Sequence, residues 1–276
     1  MSSDNTTFRA HYGPWAVIAG GSEGLGAEFA RQIADRGLNL VLVARRLDVL
    51  EHFCSEARTR YDVKVRAISL DLAKPDAVDA LCARVEDLEV GLLVCSAASS
   101  LLGHFVEISI ADHGRLVDLN CRVPALLSWE LGRRMVARKR GGIILMSSMA
   151  GFQGTSLVAH YAASKAYVRV LAEGLWNELR GQGIDVLAGC PGLVRTPTLF
   201  DGHPVHPGSL ASPLMDCAPV VRETLAALGR RPVVIPGRAN RISSWIVQRL
   251  LSRGAAISLA SAGTRAMYPG GTAFRS

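Results

Sequence analysis

The 276-residue sequence predicts an α/β fold: a doubly wound parallel sheet of about seven strands with helices on both faces, followed by a C-terminal helical extension. Two observations predict it. Seven short β-branched runs (WAVIAG, NLVLVA, VKVRAISL, VGLLVCS, GGIILMSS, IDVLAGC and RPVVIPG) are mostly apolar throughout rather than alternating, as strands buried on both faces must be. Between them lie stretches of helical period at about 24–36, 47–60, 74–86, 110–137, 155–181 and 217–229, giving the strand–helix alternation of a parallel sheet. No internal repeat or low-complexity linker interrupts it, so residues 1–276 are expected to form one domain.

The first run ends in AGGSEGLG, with Gly20, Gly24 and Gly26 around Ser22 and Leu25. A strand that turns sharply into a helix while a pyrophosphate approaches its backbone needs residues without a Cβ, and the helix N-terminus then meets the phosphate charge. The second run ends LVLVARR. An acid about 20 residues beyond the glycines would accept a bond from a ribose 2′-hydroxyl; here Ala44 stands in its place, followed by Arg45 and Arg46. A guanidinium pair suits a 2′-phosphate, which favours NADP(H) over NAD(H), although Glu23 puts a negative charge in the same turn.

Asn120 lies within the 110–137 helix, four residues before Pro124. Proline has no N–H to offer the Asn120 carbonyl, and a carbonyl so released suits an ordered water. The fifth run ends with Ser148 at the strand rim, where a hydroxyl can donate to a substrate carbonyl. Thirteen residues on stands YAASK, Tyr161 to Lys165. Residues i and i+4 share a helix face, and Lys165 is one of only four lysines in a chain with 27 arginines. A phenol must drop its pKa by about 3, roughly 4 kcal/mol, to trade protons at neutrality, and an adjacent ammonium acts in that direction. The expectation is therefore a Tyr161 phenol lowered by Lys165.

Together these motifs resemble the short-chain dehydrogenase/reductase family, which has a Rossmann-type fold, over about residues 12–236. The resemblance implies a catalytic tetrad of Asn120, Ser148, Tyr161 and Lys165, with hydride passing between nicotinamide C4 and a carbonyl or carbinol carbon. Serine and tyrosine would hold the substrate oxygen, tyrosine would pass the proton, lysine would bind the nicotinamide ribose, and Asn120 would anchor a relay water. It further implies that Asp71 and Leu72 lie against the adenine, and that Val194 and Thr196, after the Pro191-Gly192 turn, meet the carboxamide. Ser96 and Ala97 would line the cofactor through their backbone. Helices 110–137 and 155–181 would form the interface of a homodimer or homotetramer, with Ala159, Ala162, Ala163 and Ala166 permitting close packing. Two departures stand out. Ala19 replaces the usual threonine, and Cys95-Ser96-Ala97-Ala98 replaces N-N-A-G, removing bracing asparagine bonds and narrowing the contact at Ala98.

The Pro/Gly-rich stretch 193–215 follows a strand end and is a candidate substrate loop, with Leu199, Phe200, Leu210, Leu214 and Met215 as apolar contacts and His203 and His206 as polar points. This composition fits a small apolar carbonyl or alcohol substrate with a bulky body, acyl or lipid-derived, or a loop whose apolar residues simply pack onto the domain. No acidic residue follows Glu223, whereas eight arginines do, so the net charge of +7 belongs to the tail. Residues 237–276 form a basic extension whose ANRISSWIVQRLLSR segment is amphipathic at helical spacing. Such a helix packs on its own domain, lies on an anionic membrane, docks an acidic carrier protein or covers a neighbouring subunit.

Six scattered cysteines without C-x-x-C read as core residues in a reducing cytosol, with no metal site. No nucleic-acid motif is present. With no secretory h-region and no 20-residue apolar run, a cytoplasmic chain is expected. Two functions remain open: an NADP(H)-dependent oxidoreductase, and a non-catalytic NADP sensor acting through the basic tail.

Overall fold

The computed structural model describes residues 3–197 and 213–268. Seven parallel strands form one sheet: β1 (Trp15–Ala19), β2 (Asn39–Ala44), β3 (Val65–Ser69), β4 (Val90–Cys95), β5 (Gly141–Met146), β6 (Ile184–Gly189) and β7 (Val233–Val234). Their spatial order is β3-β2-β1-β4-β5-β6-β7. The order reverses direction between β1 and β4, so their C-terminal ends splay the following loops apart and leave a crevice.

Successive strand residues point to opposite faces, and both faces are covered. Ile18, Leu40, Leu42, Leu92 and Ile144 join Phe29, Ile33 and Val221 in one core, whereas Val17, Val41, Leu93, Ile143 and Leu145 join Leu81, Leu127, Leu131 and Val168 in the other. Each such fully buried side chain contributes about 1.5–3 kcal/mol by leaving water. Helices α2 (Gly24–Ala34), α3 (Leu47–Tyr61) and α8 (Cys217–Ala227) cover the first face. Helices α4 (Ala77–Arg84), α6 (Val123–Arg138) and α7 (Ala159–Leu179) cover the second. All six cysteines are free; Cys54, Cys82, Cys95 and Cys190 are buried.

Two features depart from the sequence expectation. The polar N-terminus forms α1 (Ser3–Tyr12), which carries little apolar periodicity of its own. It is fastened by tertiary bonds instead: Tyr12 Oη donates to Asp185 Oδ2 at 2.7 Å, and His11 Nε2 lies 3.2 Å from the same oxygen. Stretch 110–137 is not one helix; α5 (Ile110–Val117) and α6 are joined by a π turn, Asp118–Arg122. The expected helical extension holds, among its described residues, two helices, α9 (Arg238–Leu250) and α10 (Arg253–Met267), the latter capped by Ser252 Oγ accepting from Ala255 N at 3.3 Å.

Tyr12→Phe leaves a part-buried carboxylate short of a donor. It should cost about 1–2 kcal/mol, read as a drop of about 2–4 °C in melting temperature.

Candidate active site

The crevice is floored by the glycine turn between β1 and α2. Gly20 takes φ +91 and Gly24 φ +56, both in the left-handed region that favours glycine. Gly26 is required for a different reason: a Cβ there would stand 1.7 Å from the Gly20 carbonyl oxygen. A Cβ on Gly20 would stand 2.5 Å from Ala97 N, so the segment after β4 presses directly on the turn. Ser96 N and Ala97 N both donate to Ala19 O, at 2.9 and 2.7 Å. Backbone bonds thus brace the C-S-A-A segment, which lacks the asparagine side chains of the usual N-N-A-G. Ser22 and Leu25 are half-buried in the turn. Thr196 closes on it from above, its Cγ2 lying 3.1 Å from where a Gly24 Cβ would be.

At the end of β2 the expected guanidinium pair is divided. Arg46 Nη2 donates to Glu23 Oε2 at 2.5 Å, tying the arginine to the glycine turn. Arg45 is exposed and makes no ion pair among the described residues. Asp71 receives Arg115 Nη2 at 2.9 Å and the N–H of Ala73 at 3.1 Å. The Arg115 bond chiefly holds the Asp71 carboxyl below the usual range, with Arg45 a smaller influence. Leu72 is buried beside it.

The second wall comes from β5, α7 and the π turn. Ser148 is extended at the strand exit and its Oγ accepts from Ala150 N at 3.2 Å. The Pro191 carbonyl accepts from Met149 N at 2.9 Å, joining this turn to the Pro191-Gly192 segment after β6. Lys165 is only 4% exposed; its Nζ donates to Met146 O at 2.9 Å and lies 5.6 Å from the centre of the Tyr161 ring. Burial pushes the Lys165 amine down to about 8, despite the nearby sulfurs of Cys121, Cys190 and Cys95.

Tyr161 corrects the sequence expectation. Its pKa lies above the ordinary value: burial raises it, a hydrogen bond with Ser148 opposes that rise, and Tyr268 adds to it. The ammonium beside Tyr161 is committed to a backbone carbonyl and lies by the ring, so desolvation of the phenolate governs.

Asn120 is almost wholly buried and uses its side chain as a clamp. Oδ1 accepts from Ser99 N at 2.8 Å, while Nδ2 donates to Ser99 O at 2.9 Å and Ser164 Oγ at 3.0 Å. Ser164 Oγ in turn donates to the Tyr161 carbonyl at 2.8 Å, and Ser147 Oγ donates to the Lys165 carbonyl at 2.7 Å. Sequence reading missed both serines; their neighbours in YAASK and MSS were the signal. It also missed His113 and His160, whose Nδ1 atoms lie 2.7 Å apart, linking α5 to the residue before Tyr161.

The loop after β6 is closed at its base by Val194 and Met215, which bridge in parallel; Arg195 N donates to Met215 O at 2.8 Å. Met215 is therefore fixed at the loop's root. Leu199, Phe200, His203, His206 and Leu210 lie outside the described residues. The extension packs back on its own domain, one of the readings the basic tail allowed, and does so beside the site. Arg253 Nη1 donates to Phe152 O at 2.9 Å, Ser261 Oγ accepts from Ser156 N at 3.0 Å, and Arg265 Nη1 donates to Ser156 Oγ at 3.0 Å. Helix α10 thereby covers the loop that enters α7.

The family model for short chain dehydrogenases matches residues 14–201. A 7beta-hydroxysteroid dehydrogenase from Clostridium sardiniense is 28% identical over 234 residues, 85% of this chain and 89% of its own length. A solved structure of a 7beta-hydroxysteroid dehydrogenase superposes with TM-score 0.86 at 27% identity, covering 92% of this chain and 98% of the other. A short-chain dehydrogenase from Sphingobium yanoikuyae, solved with NADPH, gives TM-score 0.73 at 31% identity over 81% of this chain and 87% of its own.

The buried amine makes stability depend on pH in a stated direction. Between about 8 and 10.5 the folded chain binds fewer protons at Lys165 than the unfolded chain, so stability rises with pH through that window. The penalty is fully present below about 8. Relative to Lys165→Met, the wild type should gain on the order of 3 kcal/mol from pH 7 to pH 11, checked by denaturant melts at both pH values.

Proposed function

The chain belongs to the short chain dehydrogenase family, and from that premise we propose that it is an NADP(H)-dependent oxidoreductase acting on a bulky apolar ketone or the matching secondary alcohol. The observation that carries the reading is the facing of two halves of one crevice. A glycine turn whose Cβ positions at Gly20 and Gly26 are excluded by backbone stands on one side; on the other are Ser148 at the β5 exit and Tyr161, whose ring centre lies 5.6 Å from the desolvated Lys165 amine. The turn fits a dinucleotide pyrophosphate, because the start of α2 has no side-chain cap among the described residues and keeps its first N–H groups for an anion.

Arg45 is the residue of choice for a 2′-phosphate: it is exposed at the end of β2 without an ion pair among the described residues, while Arg46 is held back by Glu23. The NADPH complex of the Sphingobium relative supports the same choice. Bulky substrates are supported by relatives named for 7beta-hydroxysteroids, and by a bulky-bulky ketone specific alcohol dehydrogenase from Comamonas testosteroni at TM-score 0.72 and 32% identity.

When bound, the nicotinamide supplies or accepts the hydride at the substrate's carbonyl or carbinol carbon. Ser148 and Tyr161 would hold the substrate oxygen by hydrogen bonds, and Tyr161 would deliver its proton in reduction. A phenol above its ordinary pKa remains protonated at neutrality, which suits it as the acid of a reductase. Lys165 would hold the nicotinamide ribose, and Asn120, clamped by its side chain, would present its carbonyl to a relay water. Asp71, Leu72, Ser96, Ala97, Pro191, Gly192, Val194 and Thr196 would complete the cofactor site. A sensor would have no use for a lysine desolvated beside that phenol.

The outward face of α6 and α7 carries Trp129, Tyr167 and Val170, all exposed, and is proposed as the homo-oligomer interface. Ala159 and Ala163 lie on the surface; Ala162, expected there, is buried within its own chain.

Two variants test these roles. Tyr161→Phe should lower kcat with a bulky ketone by about 10²–10⁴ while NADPH still binds, measured by stopped-flow turnover and fluorescence titration; wild-type turnover would contradict the role of Tyr161. Arg45→Asp should move the NADPH/NADH ratio of kcat/KM toward NADH by about 10–100-fold, and an unchanged ratio would remove Arg45 from the cofactor site.

A further inference from the structure

Helix α9 is docked inside out. Its buried residues are polar, Asn240 and Ser244, while Ile242 (61% exposed), Trp245 (59%), Ile246 and Leu250 (64%) face outward on one stripe. The orientation is pinned rather than incidental. Asn240 Nδ2 donates to Pro236 O at 3.0 Å, and Arg241 Nη1 donates to Glu223 Oε2 at 2.8 Å and to Ile235 O at 3.2 Å. Gly237 N also donates to Glu223 Oε2, at 3.1 Å, and Asn240 Nδ2 lies 3.3 Å from Met215 Sδ. Turning the apolar stripe inward would break these bonds and bury unsatisfied polar groups. The fold therefore holds about three turns of apolar surface, a tryptophan among it, toward the outside.

We propose that this stripe of Ile242, Trp245, Ile246 and Leu250, bracketed by Arg238 and Arg249, lies in the headgroup region of an anionic phospholipid bilayer. Charge selects the occupant. Arg238 and Arg249 are exposed, make no ion pair among the described residues, and belong to a segment with no acidic residue after Glu223. A second copy meeting the same face would set arginine against arginine, whereas anionic lipid neutralises both. Tryptophan and arginine are the residues that seat an amphipathic helix at such an interface: the indole lies at headgroup depth and the arginine stems reach up to the phosphates. A continuous stripe one helix wide also suits a deformable surface. Among the described residues no helix is long and apolar enough to cross a membrane, so the contact is one of lying on the surface. Since α10 runs directly on from α9 and covers the loop entering α7, this contact would bring the crevice near a bilayer in which apolar substrates dissolve.

The full chain is tested by co-sedimentation with sucrose-loaded vesicles of phosphatidylcholine alone and of equal phosphatidylcholine and phosphatidylglycerol, at 50 and 500 mM salt. The expected result is at least about tenfold stronger partition onto the anionic vesicles, falling by about tenfold at high salt. Ile242→Ser with Trp245→Ser should lower that partition at least about tenfold, and Arg238→Gln with Arg249→Gln should weaken it and flatten its salt dependence. Both pairs lie on the surface, so far-UV spectra and melting temperature should match the wild type. Absence of sedimentation with anionic vesicles, or partition indifferent to the apolar pair, would overturn the proposal. So would a change in solution mass caused by the apolar pair, which would give the stripe to a second copy, or equally tight binding to soluble polyglutamate, which would give it to an acidic polypeptide.

Discussion

A lysine with 4% exposure is the constraint around which this site is arranged. Burying an ammonium costs several kcal/mol unless its protons find acceptors, and the amine responds by titrating near 8. One proton is placed on the Met146 carbonyl, at the last residue of β5, where the strand end exposes an acceptor. The Lys165 carbonyl accepts from Ser147 Oγ, and the chain crosses Lys165 so closely at Gly151 that a Cβ there would lie 2.8 Å from that carbonyl carbon. These contacts fix α7 against β5, and with it the position of Tyr161 relative to Ser148.

The opposite side of the crevice rests on steric exclusion rather than on charge. Gly20, Gly26 and Ala97 approach one another through backbone atoms, so the turn has one shape and little freedom. Asn120 connects the two sides: its amide grips Ser99, beyond the C-S-A-A segment, and reaches Ser164 on α7. The π turn is what aims that side chain, since an extra residue in the helix rotates Asn120 inward while Pro124 opens α6. Sheet topology, a strained turn and one clamped amide together bring groups from distant parts of the chain to one rim.

Much of this was legible in the sequence, for physical reasons. Strands apolar on both faces admit few arrangements, so the parallel sheet and its loops could be placed from VGLLVC or GGIILM alone. Gly20, Ser148, Tyr161 and Lys165 fell where strand ends and helix spacing put them. What escaped depended on partners remote in sequence. α1 has little apolar periodicity and owes its place to Tyr12 meeting Asp185, 173 residues away. The Arg46–Glu23 pair could be seen as two charges but not as one bond. The direction of the Tyr161 shift was misread because a charge i+4 away was weighed without the desolvation that accompanies it. The amphipathic pattern of α9 was visible, but which stripe turns inward was decided by Glu223 and Pro236.

The state of the Lys165 amine can be read directly, since only Lys64, Lys74 and Lys139 share its chemistry and all three are exposed. A ¹³C-observed pH titration of lysine ε-carbons should show one resonance titrating near 8, lost in Lys165→Met, set apart from the other three. If the Lys165 resonance instead titrates at the ordinary lysine value near 10.4, the amine is hydrated, and the desolvated cation that organises this site does not exist.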